Sequence, residues 1–180
     1  KGAAHVHSCA RDAQRRGERD GAVPVSDVLT RELSTPVAAV GGPAGADPLG
    51  SQVHSLVYVP REAAAGRVRA PLVVCCHGLG ESGLRVAGIA QRLAAAGAVA
   101  VVPSFRGGGA PTAGPTTGMS VLTEIADLEA VLDAAEAWPF VDAGRTALFG
   151  RSQGGLVAAL TASRRPTQVG ALVLWYPALR

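Results

Sequence analysis

From Val53 onward the chain alternates short apolar runs with longer stretches of helical spacing. His54 to Val59 alternates loosely and stops at Pro60, as a strand does. Pro71 to Cys76 is a continuous apolar run suited to a strand buried on both faces. Arg85 to Ala96 is rich in Ala and Leu and ends at Gly97, which predicts a helix with a glycine stop. Ala98 to Val102 reads as a second buried strand, closed by Pro103. A Gly/Pro/Thr loop runs from Gly107 to Gly118, and Ser120 is then placed to cap a helix. Val121, Ile125, Leu128 and Leu132 lie along one face of that helix, and Glu124 and Asp127 are expected to complement its positive end. Arg145 to Phe149 predicts a strand, Gln153 to Ser163 a helix, and Ala171 to Trp175 a further strand. Strand and helix in this alternation predict an α/β fold with a doubly wound, mostly parallel sheet.

Residues 1–50 lack the periodicity, mixing Arg, Gly, Ala and Pro around a charged cluster from Arg15 to Asp20. They are expected to be a disordered leader or sequence outside the domain, which would occupy 51–180. Leu33 to Ala46 ends in small residues as a signal peptide does, but Pro36 and Gly41-Gly42 interrupt its apolar run. The first residue is Lys rather than Met, which suggests ends that are not natural ones.

Composition narrows the function. A hydrophobic fraction of 48% with 17% charged residues fits a globular domain. Aromatics at 4% are too few for base-stacking platforms, and the net charge of +3 comes without a Lys/Arg stripe, so no nucleic-acid partner is expected. The apolar stretch Leu93 to Val102 falls well short of the roughly 20 residues of a membrane span. Cys9, Cys75 and Cys76 form no disulfide framework, and vicinal cysteines in a strand point to opposite faces. A reducing, cytoplasmic setting is the expectation. Nothing calls for a metal or cofactor, and the oligomeric state is left open.

The chemistry lies in Gly150-Arg151-Ser152-Gln153-Gly154, a match to G-x-S-x-G. The pentapeptide arises readily by chance in a glycine-rich chain, so its flanks decide. Thr146 to Phe149 before it and Leu156 to Leu160 after it give the buried strand and helix that a nucleophile elbow requires. Gly150 and Gly154 would let strand and helix pass closely while Ser152 is held in a strained backbone. The bland alternative is a glycine-rich turn with an incidental serine. His77-Gly78-Leu79-Gly80 follows the Pro71 to Cys76 strand. In this kind of site the loop there donates a backbone N–H to an oxyanion hole, beside the N–H after the nucleophile. Leu79 and Gln153 are therefore the candidate donors, with Gly78 as loop support. His77 is read as stapling the loop, the alternative being a general base.

Five blocks carry a resemblance. Leu72 to Gly78, Phe105 to Gly109, Met119 to Glu124, Pro139 to Asp142 and Gly150 to Gly155 resemble, in order, bacterial α/β-hydrolases of the cinnamoyl/feruloyl esterase and dienelactone hydrolase-like type. The likeness spans about residues 53 to 180. It implies an eight-stranded, mostly parallel sheet, a Ser–Asp–His triad and hydrolysis of small carboxylic esters without a cofactor. A dienelactone hydrolase proper is disfavoured, because its usual nucleophile is cysteine and Cys75 and Cys76 sit in a core strand. The family usually has Asp where this chain has Ser104, and His is common where it has Gly108. In this fold the triad acid and histidine follow the serine, yet no Asp, Glu or His occurs after Ser152. The triad is incomplete in this chain, so the expectation is a C-terminally incomplete esterase fold. A binding module that keeps the fold without catalysis, or a peptidase or acyltransferase on the same site, are the alternatives.

Overall fold

The computed structural model describes residues 27–38, 50–108 and 114–179. Among the described residues six strands form one sheet in the order β1-β2-β4-β3-β5-β6. They are β1 Val28–Pro36, β2 Gln52–Pro60, β3 Ala70–Cys76, β4 Val99–Ser104, β5 Val141–Arg151 and β6 Val169–Trp175. β1 pairs antiparallel with β2, and β2 antiparallel with β4. β4, β3, β5 and β6 are mutually parallel. The helices are α1 Arg61–Ala64, α2 Ala87–Ala95, α3 Val121–Glu136 and α4 Gln153–Arg164, with a 3-10 turn at Gly83–Arg85 ahead of α2.

The sheet has two covered faces because its central strands are apolar on both. Val57, Val59, Leu72, Val74, Cys76, Val99, Val101 and Leu148 pack beneath Ile125, Leu128 and Leu132 of α3 and Val157 and Ala158 of α4. The alternate residues Tyr58, Cys75, Ala100, Val102 and Phe149 pack under Val86, Ala90 and Ala94 of the α2 segment. Cys75 and Cys76 thus point to opposite faces, as a period of two dictates, and neither is bridged. At about 25 cal/mol per Å² of apolar area, this two-sided burial is what holds the helices to the sheet.

Two expectations need correction. β1 lies inside the stretch assigned to a leader, so the sheet begins at Val28. Its residues Leu29 to Glu32 are exposed on an edge strand, which erases the apolar signature that marks the inner strands. Pro103 does not close β4 but lies within it, opposite Ser55. The register with β3 ends at Val101, so the missing N–H of proline breaks no bond there. Glu124, in the first turn of α3, and Asp127 one turn on are both fully buried.

α3 starts where Ser120 closes a capping box. Its Oγ accepts from Thr123 N–H at 3.2 Å, and the Thr123 Oγ1 accepts from Ser120 N–H at 2.9 Å. At the far end of the sheet β6 leaves Val173 and Trp175 more than half exposed. Among the described residues nothing pairs with its outer edge.

Candidate functional site

Ser152 occupies the single residue between β5 and α4, at φ 52° and ψ −123°. A residue with a Cβ is strained there. Three backbone hydrogen bonds hold it in place. Its N–H donates to the Trp175 carbonyl at 3.2 Å, and its carbonyl accepts from Gly155 and Ala178 N–H, both at 2.9 Å. The turn is tight enough to demand glycine. A Cβ at Gly150 would stand 2.5 Å from the Gly154 carbonyl oxygen, and one at Gly154 would overlap the His77 carbonyl and lie 2.6 Å from that of Cys76. The first turn of α4 is therefore laid against the carboxyl end of β3. Its unpaired amides and dipole face the ground beside Ser152.

The loop after β3 arrives on the other flank. A Cβ built on Gly78 would be 3.4 Å from the Cβ of Ser152. Gly78 to Glu81 form a turn in which Glu81 N–H reaches the Gly78 carbonyl at 3.2 Å, with Gly80 at φ 66° as such a turn requires. The Leu79 side chain is exposed. Among the described residues the Leu79 N–H makes no hydrogen bond. Gln153, as the first residue of α4, has an N–H without an intrahelical acceptor.

His77 is fully buried and its ring is occupied on both sides. Phe105 N–H donates to Nε2 at 3.0 Å, so Nδ1 carries the proton and donates to the Gly78 carbonyl at 2.8 Å. Burial holds its pKa below the ordinary value, although the Gly78 bond and the Glu81 charge oppose this. A neutral imidazole with both nitrogens engaged ties the β3 and β4 loops together and cannot take a proton from Ser152.

The two departures from the esterase pattern acquire physical reasons. Ser104 Oγ accepts from Gly83 N–H at 3.0 Å, fastening the 3-10 turn. At Gly108 a Cβ would stand 2.5 Å from the Glu81 carbonyl oxygen and 3.3 Å from the His77 ring, so no side chain fits on this backbone.

Several polar groups around the turn escaped the sequence. Glu81 accepts from Arg151 Nη1 with both oxygens, at 2.9 and 2.8 Å, and from Gly78 N–H at 3.0 Å. Burial pushes the Glu81 carboxyl up, but the Gly78 bond and the Arg151 charge outweigh it and the pKa falls. Arg151 Nε also donates to Tyr176 Oη, so the variable position of the pentapeptide joins both flanks of the site. Arg106 donates from its backbone N and its Nε to Asp127, at 2.8 and 2.6 Å, with both side chains wholly buried. Beneath the turn, Gln153 Nε2 donates to Glu124 Oε2 at 2.6 Å. Glu124 Oε1 is buried and has no partner among the described residues. Burial, reinforced by the Asp127 charge and opposed by the Gln153 bond, raises the Glu124 pKa to about 7. No local spacing links Glu81 to Arg151 or Glu124 to Gln153. The sole sequence signal was that 124 and 127 share the helical face of Leu128 and Val131.

A cavity of about 680 Å³ opens elsewhere, against β1, β2 and β4, lined by Glu32, Ser34, His54, Leu56, Leu84 and Ser104. It contains none of the groups around Ser152. Among the described residues no cluster of His, Cys, Asp or Glu is arranged to hold a metal ion, and no helix is long and apolar enough to cross a membrane.

Comparison with known proteins agrees with this architecture. The family model for serine aminopeptidase, S33 matches residues 68–180. No curated protein matches the chain. Among solved structures, a bacterial heroin esterase aligns at 21% identity with a TM-score of 0.63, covering 94% of this chain and 50% of that one. An esterase from the hyperthermophilic archaeon Pyrobaculum calidifontis aligns at 24% identity and TM-score 0.64, covering 94% and 52%. A hypothetical protein from Pseudomonas aeruginosa aligns at 22% and 0.65, covering 86% and 45%. The chain thus spans about half the length of the solved structures it matches. With its strand order, its serine turn between β5 and α4 and a family match over most of its length, the chain belongs to the serine aminopeptidase, S33 family and has the α/β-hydrolase fold.

Proposed function

We propose that the chain carries the nucleophile half of a serine hydrolase that cleaves small carboxylic esters through an acyl-enzyme on Ser152. The observation that supports this is the strained serine at the β5–α4 turn, with the free amides of α4 on one side and the Gly78–Leu79 loop on the other. Ser152 Oγ attacks the ester carbonyl carbon and its proton passes to a base. The carbonyl oxygen becomes an oxyanion, held by the N–H groups of Leu79 and Gln153. Collapse breaks the ester C–O bond, the alcohol leaves with the proton from the base, and water repeats the sequence to release the acid. His77 is occupied and residues 153–180 contain no Asp, Glu or His, so neither His77 nor residues 153–180 supply the acid and base of this reading.

An ester is preferred because two structural neighbours bear the name esterase. A peptide or aminoacyl amide is the second reading, favoured by the family's description. The test is reaction with a fluorophosphonate probe, mapped by mass spectrometry, in the polypeptide that carries the complete triad. Turnover of a p-nitrophenyl ester and an aminoacyl p-nitroanilide is measured beside it. Label on Ser152, lost in Ser152→Ala, with the ester turned over faster, is the expected result. Label on another residue overturns the assignment, and faster amide turnover replaces the ester with the second reading.

A further inference from the structure

Glu124 stands out once the serine turn is assigned. It is a wholly buried carboxyl in the first turn of α3, and its one hydrogen bond among the described side chains comes from the residue directly after Ser152. Its second oxygen is buried and unpartnered among the described residues. A group so costly to bury is retained where it holds something else in place. Here that is Gln153, whose backbone N–H is the donor at the mouth of α4.

We infer that Glu124 is a positioning residue for the oxyanion donor Gln153, and that its neutral acid is the form that supports acyl transfer. This rests on the serine-hydrolase reading given above. As a neutral acid, Glu124 anchors the Gln153 side chain without adding charge. Once ionised, it sets a negative charge behind the amide that must receive the developing oxyanion, and like charges oppose each other. The charged and titratable neighbours do not cancel this. Asp127 on α3 is anionic and bound to Arg106 from the β4 loop, whose charge it occupies. Cys76 at the end of β3 is a thiol that burial pushes up, and His77 beside it is held neutral. Gln153 on α4 carries no charge. The carboxyl pKa of about 7 places the change in the working range.

The test uses the polypeptide with its complete triad and follows kcat/KM for a neutral p-nitrophenyl ester against pH. The wild-type profile should rise with the triad base and then fall about tenfold on an alkaline limb, the equivalent of one pKa unit of coupling. Glu124→Gln keeps an acceptor for Gln153 Nε2 but cannot ionise, so its alkaline limb should vanish while the rising limb stays. Glu124→Ala should lower kcat with KM little changed, because the donor it steadies acts only in the transition state. Gln153→Leu keeps the backbone donor and removes the bond that lowers the Glu124 pKa, so the limb should move to higher pH. It also serves if Glu124→Gln fails to fold. A limb that persists in Glu124→Gln, is absent from wild type, or stays put in Gln153→Leu overturns the inference and leaves the serine reading standing. Activity that survives Ser152→Ala sinks both.

Discussion

Alanine at Gly154 should destabilise the domain by about 2 kcal/mol, although alanine is the better helix former. The added Cβ would overlap the His77 carbonyl oxygen and lie 2.6 Å from that of Cys76, where ordinary contact begins at 3.4 Å. Both obstacles are backbone, one at the end of β3 and one in the residue after it, so α4 itself has to back away. Overpacking of this kind costs about 3 kcal/mol, and the helix propensity of alanine returns about 1. Gly88, in the first turn of α2, is the control, since a Cβ there meets no heavy atom within 4 Å. Gly88→Ala should therefore stabilise by about 0.5 to 1 kcal/mol. In a domain of this size each kcal/mol moves Tm by about 2–4 °C, so Gly154→Ala should melt about 4–8 °C below the parent and Gly88→Ala slightly above it. Circular dichroism melts with urea titrations measure both. A Gly154→Ala protein that melts with the parent, or a Gly88→Ala protein that falls as far, would refute the account of why glycine occupies the turn.

Other consequences can be checked with the same methods. Ser152→Gly removes the Cβ from a φ of 52° and should raise stability by about 1 kcal/mol while abolishing fluorophosphonate labelling. Asp127→Asn leaves Arg106 buried against a neutral partner and should cost about 3 kcal/mol or more by urea titration. The raised pKa of Glu124 makes folding less favourable as pH climbs from the ordinary 4.5 through about 7, by roughly 3 kcal/mol in all, and Glu124→Gln should flatten that slope. Glu81 has the opposite sign. Its lowered pKa stabilises the fold above the ordinary carboxylate range, and that gain disappears as acid titrates it. Since Glu81 and Arg151 are partly exposed, Glu81→Gln should cost no more than about 1 kcal/mol and remove this acid-side loss.

The inner strands were legible because burial on both faces leaves no polar residue to confuse the run from Leu72 to Cys76. Ser120 likewise announced α3, since a cap is a local device written in two or three residues. β1 was invisible for the converse reason. An edge strand with Thr30, Arg31 and Glu32 in solvent carries no period, and only its partner β2 makes it a strand. The serine turn could be placed from its flanking glycines. The groups that surround it could not, because Glu81 meets Arg151, and Glu124 meets Gln153, across elements far apart in sequence. The burial of Glu124 was not legible for a related reason: an acidic residue in a first turn looks the same whether it faces water or the core.

Two of the three bonds that brace Ser152 come from later in the chain, from the Trp175 carbonyl and the Ala178 amide. Synthesis proceeds from the amino end, so β5 and the start of α4 leave the ribosome before either partner exists. Until β6 aligns beside β5, the serine lacks two of the three bonds that hold its strained angles and can relax into an ordinary helical or extended conformation. The strained geometry of this residue thus matures late, and a nascent chain halted before Trp175 would present the pentapeptide intact but unsprung.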